Sequence, residues 1–125
     1  MSKTRDYSIN LDNKFGMLQR IDVPGLASQV KDKWFNQTLT QVNDCVVRLG
    51  VFEPGDFHWH KHDVEDEFFF VLEGSLHIDL EHESVTLFAF QGFTVPKGVM
   101  HRTRAPERTM ILMMEGAGVV PTGDE

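Results

Sequence analysis

Residues 58–74 read HWHKHDVEDEFFFVLEG. Histidines stand at alternate positions, His58, His60 and His62, and four carboxylates, Asp63, Glu65, Asp66 and Glu67, crowd into the next five residues. The apolar run FFFVL follows and closes at Gly74. In a strand, alternate side chains share a face, so the three imidazoles point one way with rings about 6 to 7 Å apart, and two neighbours can meet a single ion. Glu67 follows His62 at a distance that allows a turn to bring the next strand alongside.

Downstream, VPKGVMH at 95–101 supplies another histidine. The Pro96-Lys97-Gly98 turn reverses the chain and carries His101 into the following strand. Three neutral imidazoles and one carboxylate suit iron, manganese, nickel, copper or zinc, and disfavour magnesium or calcium, which prefer oxygen. Four protein ligands on a six-coordinate ion leave two positions for a substrate, or for substrate and dioxygen, which points to chemistry or ligand binding rather than scaffolding.

Outward from this stretch the chain reads as all-β. Short segments rich in Val, Phe, Leu and Ile alternate with turn residues, giving candidate strands near 45–52, 57–62, 67–72, 75–81, 84–89, 93–95, 99–104 and 109–115. Residues 1–14 are polar, and 15–39 are irregular around Pro24-Gly25, either one short helix over 26–33 or an irregular strand pair. FFFVL and MILMM are apolar on both faces, so one face is the barrel interior and the other needs a cover, either a second copy of the chain or the N-terminal segment. A homodimer is the expectation.

The 125 residues fit one domain. A formal charge of −7, from 19 acidic and 12 basic residues, argues against nucleic acid or an anionic membrane as partner. The single Cys45 reads as a small core residue. The N-terminus has no apolar leader and FFFVL is far short of a bilayer span, so a cytoplasmic location is expected.

Two motifs then carry a family resemblance. The cupin superfamily is marked by Gly, five residues, His-x-His, three or four residues, Glu, six residues, Gly; here stand His60-Lys61-His62, four residues, Glu67, six residues and Gly74. Its second motif, Gly, five residues, Pro-x-Gly, two residues, His, three residues, Asn, is matched by Pro96-Lys97-Gly98, two residues and His101. Departures fall in the loops: Pro54 and Phe90 stand where the opening glycines are expected, and Ala105 replaces the closing Asn. The chain resembles small single-domain metal-binding cupins, often called mannose-6-phosphate isomerase-like. The resemblance implies a double-stranded β-helix, the cupin jelly-roll barrel, over 39–125, with 1–38 an N-terminal arm or extension packing on it. It also implies one divalent transition metal held by His60, His62, Glu67 and His101.

Around these ligands, Glu67 is a candidate general base, and His58 and Phe69 are candidates to touch substrate or to back the ligands. Asp63, Glu65 and Asp66 read as a solvated loop, His77 and His82 as exposed, Arg48 as a surface residue, Arg102 and Arg104 as a solvated strand face, and residues 110–114 as core filling. The functional expectation is a metalloenzyme, of dioxygenase or isomerase type, acting on a small polar metabolite. The alternative is a non-catalytic sugar-, metabolite- or metal-binding cupin, because one fold serves many functions.

Overall fold

The structure, a computed structural model, describes residues 7–119. Ten strands and one short helix follow in order: β1 (Tyr7–Asn10), α1 (Val23–Ala27), β2 (Trp34–Val42), β3 (Cys45–Phe52), β4 (Gly55–Asp56), β5 (Glu67–Glu73), β6 (Ser75–Asp79), β7 (Ser84–Phe88), β8 (Gly92–Val95), β9 (Arg102–Ala105) and β10 (Thr109–Gly116). They form a six-stranded sheet, β1-β2-β3-β10-β5-β8, facing a four-stranded sheet, β4-β9-β6-β7. Every pairing is antiparallel except that of β1 with β2. This is the double-stranded β-helix. No helix among the described residues is long and apolar enough to cross a membrane.

Alternation sorts the large sheet into two faces. Trp34, Phe52, Phe69, Val71, Val95, Ile111 and Met113 turn inward and meet Leu76, Ile78, Leu87 and Ala105 between the sheets. On the outer face Phe35, Leu39, Leu49 and Val51 are covered by Phe15, Ile21, Val23, Leu26, Ala27 and Val30. The N-terminal segment therefore supplies the cover over β2 and β3, while Phe68 and Phe70 of β5 stay half-buried and Met114 of β10 stays exposed.

Local chemistry explains several element boundaries. The β5–β6 turn needs Gly74, whose φ is +84° and whose added Cβ would lie 2.6 Å from the Arg108 carbonyl oxygen. Helix α1 starts where Asp22 caps the Gly25 amide at 3.1 Å and Pro24 sets the first turn, so it lies ahead of the expected 26–33.

Three sequence readings are corrected. Strand β2 lay hidden because Asn36, Gln37 and Thr38 interrupt its apolar pattern. The strand expected over 57–62 is reduced to a single bridge between His60 and His101 and a bond from the Phe57 amide to the Thr103 carbonyl at 2.8 Å. Cys45 is exposed, because it opens β3 on the outer face beyond the reach of the covering segment.

Candidate metal centre

His60, His62, Glu67 and His101 converge, each offering one ligand atom, and these four atoms lie within 4.8 Å of one another. All four residues are buried, His101 completely. Three separate pieces of chain are brought together to do this. Glu67 opens β5 and faces inward, opposite Val95 on one side and Glu115 on the other. His60 and His101 are locked to each other by a reciprocal pair of backbone hydrogen bonds, both 2.9 Å. The Pro96-Lys97-Gly98 turn that delivers His101 is tied to the ligand loop twice, by the Gly98 amide donating to the His62 carbonyl at 2.7 Å and the Lys97 amide donating to Asp66 Oδ1 at 2.9 Å. Asp66 thus has a structural task in the loop, although it is exposed.

The imidazoles are set as metal ligands before any ion arrives. Nδ1 of His60 lies 3.0 Å from the His58 carbonyl, and Nδ1 of His101 lies 2.9 Å from the Val99 carbonyl. A carbonyl only accepts, so each Nδ1 carries the proton and each Nε2 presents a lone pair. Nε2 of His62 and Nε2 of His101 sit 3.1 Å and 3.3 Å from Oε1 of Glu67. Nε2 of His101 is buried without a well-formed hydrogen bond, an orphaned lone pair of the kind a cation satisfies. The residues present fit a divalent transition metal.

Burial, above all, lowers His60 to a pKa of about 4. It is neutral near pH 7. Burial pushes Glu67 upward, but the His101 and His62 imidazoles beside it outweigh that and hold the carboxyl down at about 2. His60 therefore offers a neutral nitrogen and Glu67 a carboxylate.

Behind Glu67 lies a second buried layer. Arg48 of β3 points into the barrel, not to the surface, and is 2% exposed. Its Nε donates to Thr38 Oγ1 at 3.1 Å, and its Nη1 to Glu115 Oε1 at 3.3 Å and to the Val119 carbonyl at 3.1 Å. Glu115, opposite Glu67 on β10, is pushed up to about 9 by burial and by the Glu67 charge, against the pull of Arg48. Glu115 Oε2 has no hydrogen-bond partner among the described residues.

His58 is not one of the four converging residues; it is half-buried and stacks on Phe57 at 4.3 Å between centroids. The three imidazoles nevertheless stay side by side, with ring centroids 5.3 Å apart between His58 and His60 and 5.2 Å apart between His60 and His62. Phe69 lines the pocket over Glu67 and His60, together with Trp34, Phe52, Phe57 and Met113. Tyr7, Asn36 and Thr103 add the pocket's other polar groups. Phe69 also belongs to the core between the sheets, as does Val71 on the same face of β5. Arg102 and Arg104 are not a free solvated face: both grip Asp79, Arg104 through contacts of 2.5 and 2.9 Å and Arg102 at 3.0 Å, and Arg104 first among them holds that carboxyl far below the ordinary range. His77 meets Thr86 Oγ1 at 2.8 Å and His82 is exposed.

The cupin domain matches residues 48–118. The chain belongs to the cupin family. A relative in Bacillus subtilis, the uncharacterised protein YdbB, is 45% identical over 91 residues, covering 72% of this chain and 80% of YdbB. The polyketide synthase CurC of Streptomyces cyaneus is 39% identical over 57 residues, 45% of this cupin and only 37% of CurC. Among solved structures, a cupin-2 domain protein of Shewanella frigidimarina superposes with a TM-score of 0.73 at 33% identity, covering 77% of this chain and 93% of that one.

Proposed function

We propose that this cupin binds one divalent transition-metal ion through His60, His62, Glu67 and His101 and is an enzyme that acts on a small metabolite chelating that ion through oxygen. The observation that carries the proposal is the convergence of four buried ligand atoms within 4.8 Å, with two imidazole tautomers fixed by backbone carbonyls. Once bound, the metal supplies Lewis-acid polarisation of a carbonyl or hydroxyl oxygen, or a site for dioxygen.

The chain's own residues do the rest. Glu67, held at about 2, is a ligand and a poor proton acceptor at neutral pH, because a general base works best with a pKa near the operating pH. Phe57, Phe69, Trp34 and Met113 exclude water around the reacting atoms. Among the described residues lining the pocket Glu67 is the only carboxylate, so a substrate hydroxyl acidic enough to give its proton to water, as in an enol or a phenol, would suit this site. The similarity to CurC supports an enzyme over a storage or binding role. Polyketides carry 1,3-dicarbonyl or phenolic oxygens, donors of the kind this ligand set would accept with an ion in place.

The test is metal analysis of protein purified anaerobically, with His62→Ala beside it. The expected result is one ion per wild-type chain, sharply reduced content in the variant, and an unchanged circular dichroism spectrum. Absence of bound metal, with no uptake on titration by iron, manganese, nickel, copper or zinc, overturns the proposal. Oxygen consumption during a substrate screen under air and under nitrogen then separates oxygenase from isomerase.

A further inference from the structure

Two cavities meet at one aromatic wall. The inner one, over His60 and Glu67, encloses only about 30 Å³, room for a water or two. Outside it lies a cleft of about 410 Å³. That is within the range of small-molecule sites, roughly 300 to 1,000 Å³. Tyr7, Trp34 and Phe57 line both spaces. Phe57 packs on Tyr7 and Trp34, with centroids 5.0 and 5.6 Å away, and so stands between the two. His58 lines the cleft and stacks on Phe57 at 4.3 Å, and its ring lies 5.3 Å from that of His60. A molecule held in the cleft therefore sits one imidazole away from the proposed metal ligands.

The cleft carries charge that the inner cavity lacks. Among the described residues the inner cavity has no Lys, Arg or Asp, whereas the cleft has Lys33, Arg102 and Asp56. Lys33 is exposed and has no ion-pair partner among the described residues; its stem runs beside Gly55, where an added Cβ would lie 3.7 Å from Cε. Arg102 is fixed from behind. Its Nε and Nη2 each lie 3.0 Å from Asp79 Oδ2, and its guanidinium lies 5.1 Å from the centre of the Trp59 ring. Its Nη1 makes no hydrogen bond among the described residues, because Asp56 Oδ2 at 3.9 Å is too far. Asp79 is shared with Arg104, so one carboxylate offsets two guanidinium groups. Asp56 is the single carboxylate of the cleft, and its side chain is 58% exposed, so it stays hydrated. The lining thus sets two cations against one carboxylate, on a chain whose formal charge is −7. Trp59, 43% exposed, adds a large flat ring to the same cleft. A fixed guanidinium, a lysine and an exposed indole are the parts of a carboxylate site with a stacking platform.

We propose that the outer cleft binds a flat organic acid, with its ring on Trp59 and its anionic group paired with Lys33 and Arg102. The role of the cleft rests on the proposed function, since it names the class of metabolite that the metal centre receives, but the binding itself needs no metal. A neutral ring keeps the stacking and loses the ion pair; a small anion keeps the ion pair and loses the stacking.

Trp34 and Trp59, the chain's two tryptophans, both line the cleft, so their fluorescence reports its occupancy. Benzoate, benzamide and acetate are titrated into the full chain at low salt in chelator, and again with zinc. Benzoate is expected to bind about tenfold more tightly than either of the others, the size of one charge-assisted hydrogen bond. The margin should narrow as added salt screens the exposed cations. Lys33→Gln should cut the margin to about threefold or less, and Lys33→Arg should keep it. Trp59→Leu, read through Trp34, should weaken benzoate and benzamide alike; circular dichroism shows that each variant is folded. No benzoate binding at millimolar concentration, equal binding of benzoate and benzamide, or a margin unchanged in Lys33→Gln overturns the proposal. So does a margin that appears only with zinc, which would put the carboxylate on the metal. A margin that depends on Lys33, in a chain that takes up no metal, would uphold the cleft while the metal proposal fails; metal uptake with benzoate and benzamide bound equally would do the reverse.

Discussion

Replacing Glu115 by glutamine should make the metal-free protein more stable at alkaline pH, an uncommon result for a buried polar site. Glu115 is 4% exposed, and burial together with the Glu67 charge raises its pKa to about 9, well above the 4.5 of the unfolded chain. A raised carboxyl means that folding takes up a proton. The stability tied to that proton is fully present below pH 4.5 and is lost as the pH climbs towards the folded value. Each pH unit in that window is worth up to about 1.4 kcal/mol, so wild type loses at most about 4 kcal/mol relative to a non-titrating glutamine between pH 5 and pH 8. Relaxation around the carboxyl lowers this ceiling, and a difference of about 1.5 kcal/mol or more is expected. The introduced amide keeps an oxygen for the Arg48 Nη1 that lies 3.3 Å from Oε1, and turns an N–H towards Glu67. Urea unfolding in chelator at pH 5, 6.5 and 8 measures both proteins. Nearly equal midpoints at pH 5 and a widening advantage for Glu115→Gln at pH 8 are expected. Parallel curves, or a constant deficit in the variant, would show that Glu115 is ionised with Arg48 and that the reasoning fails.

Two backbone predictions test the loops. At Gly74, with φ of +84° and an added Cβ 2.6 Å from both the Arg108 carbonyl oxygen and Thr109 Oγ1, Gly74→Ala should cost about 3 kcal/mol in urea unfolding, and a loss below about 1 kcal/mol would refute the required glycine. Phe90 adopts φ of +68° while 76% exposed, so Phe90→Gly should relieve left-handed strain with little burial lost, gaining about 1 kcal/mol and raising the melting temperature by roughly 4 °C; a lower melting temperature would show that the ring is held by packing.

Phe90 also shows how the cupin pattern and this sequence can disagree without the fold changing. Glycine is expected there, and the chain keeps the left-handed backbone that glycine would favour while carrying a bulky side chain. The loop is pinned from outside, by the Phe90 amide donating to the Val71 carbonyl at 2.7 Å and the Val71 amide donating to the Gln91 carbonyl at 3.0 Å. Those bonds fix the turn whichever residue occupies it. The strands from β5 to β10 were legible for the opposite reason: their apolar runs end in turn residues, and local signals agree with the tertiary result.

The buried polar layer was not legible, and its physics explains why. In CVVRLGVF both faces of β3 are covered, so hydrophobic alternation carries no phase and Arg48 reads as surface by composition alone. Its phase is decided by Glu115, 67 residues later, which sequence spacing cannot connect to it. Asn36 misleads in the same way, since a polar residue between Phe35 and Gln37 argues against a buried strand until β2 is seen to face a pocket. Where one barrel holds both the core and the site, a polar residue on an inward position counts against the strand assignment and in favour of function at once. Asp63 and Glu65, dense in charge and read as a solvated loop, lie outside the converging ligands, whereas Arg48 and Glu115, isolated among apolar neighbours, stand behind them. Isolation of a polar group in an apolar strand is therefore the stronger signal here, because only a specific partner offsets the cost of burying it.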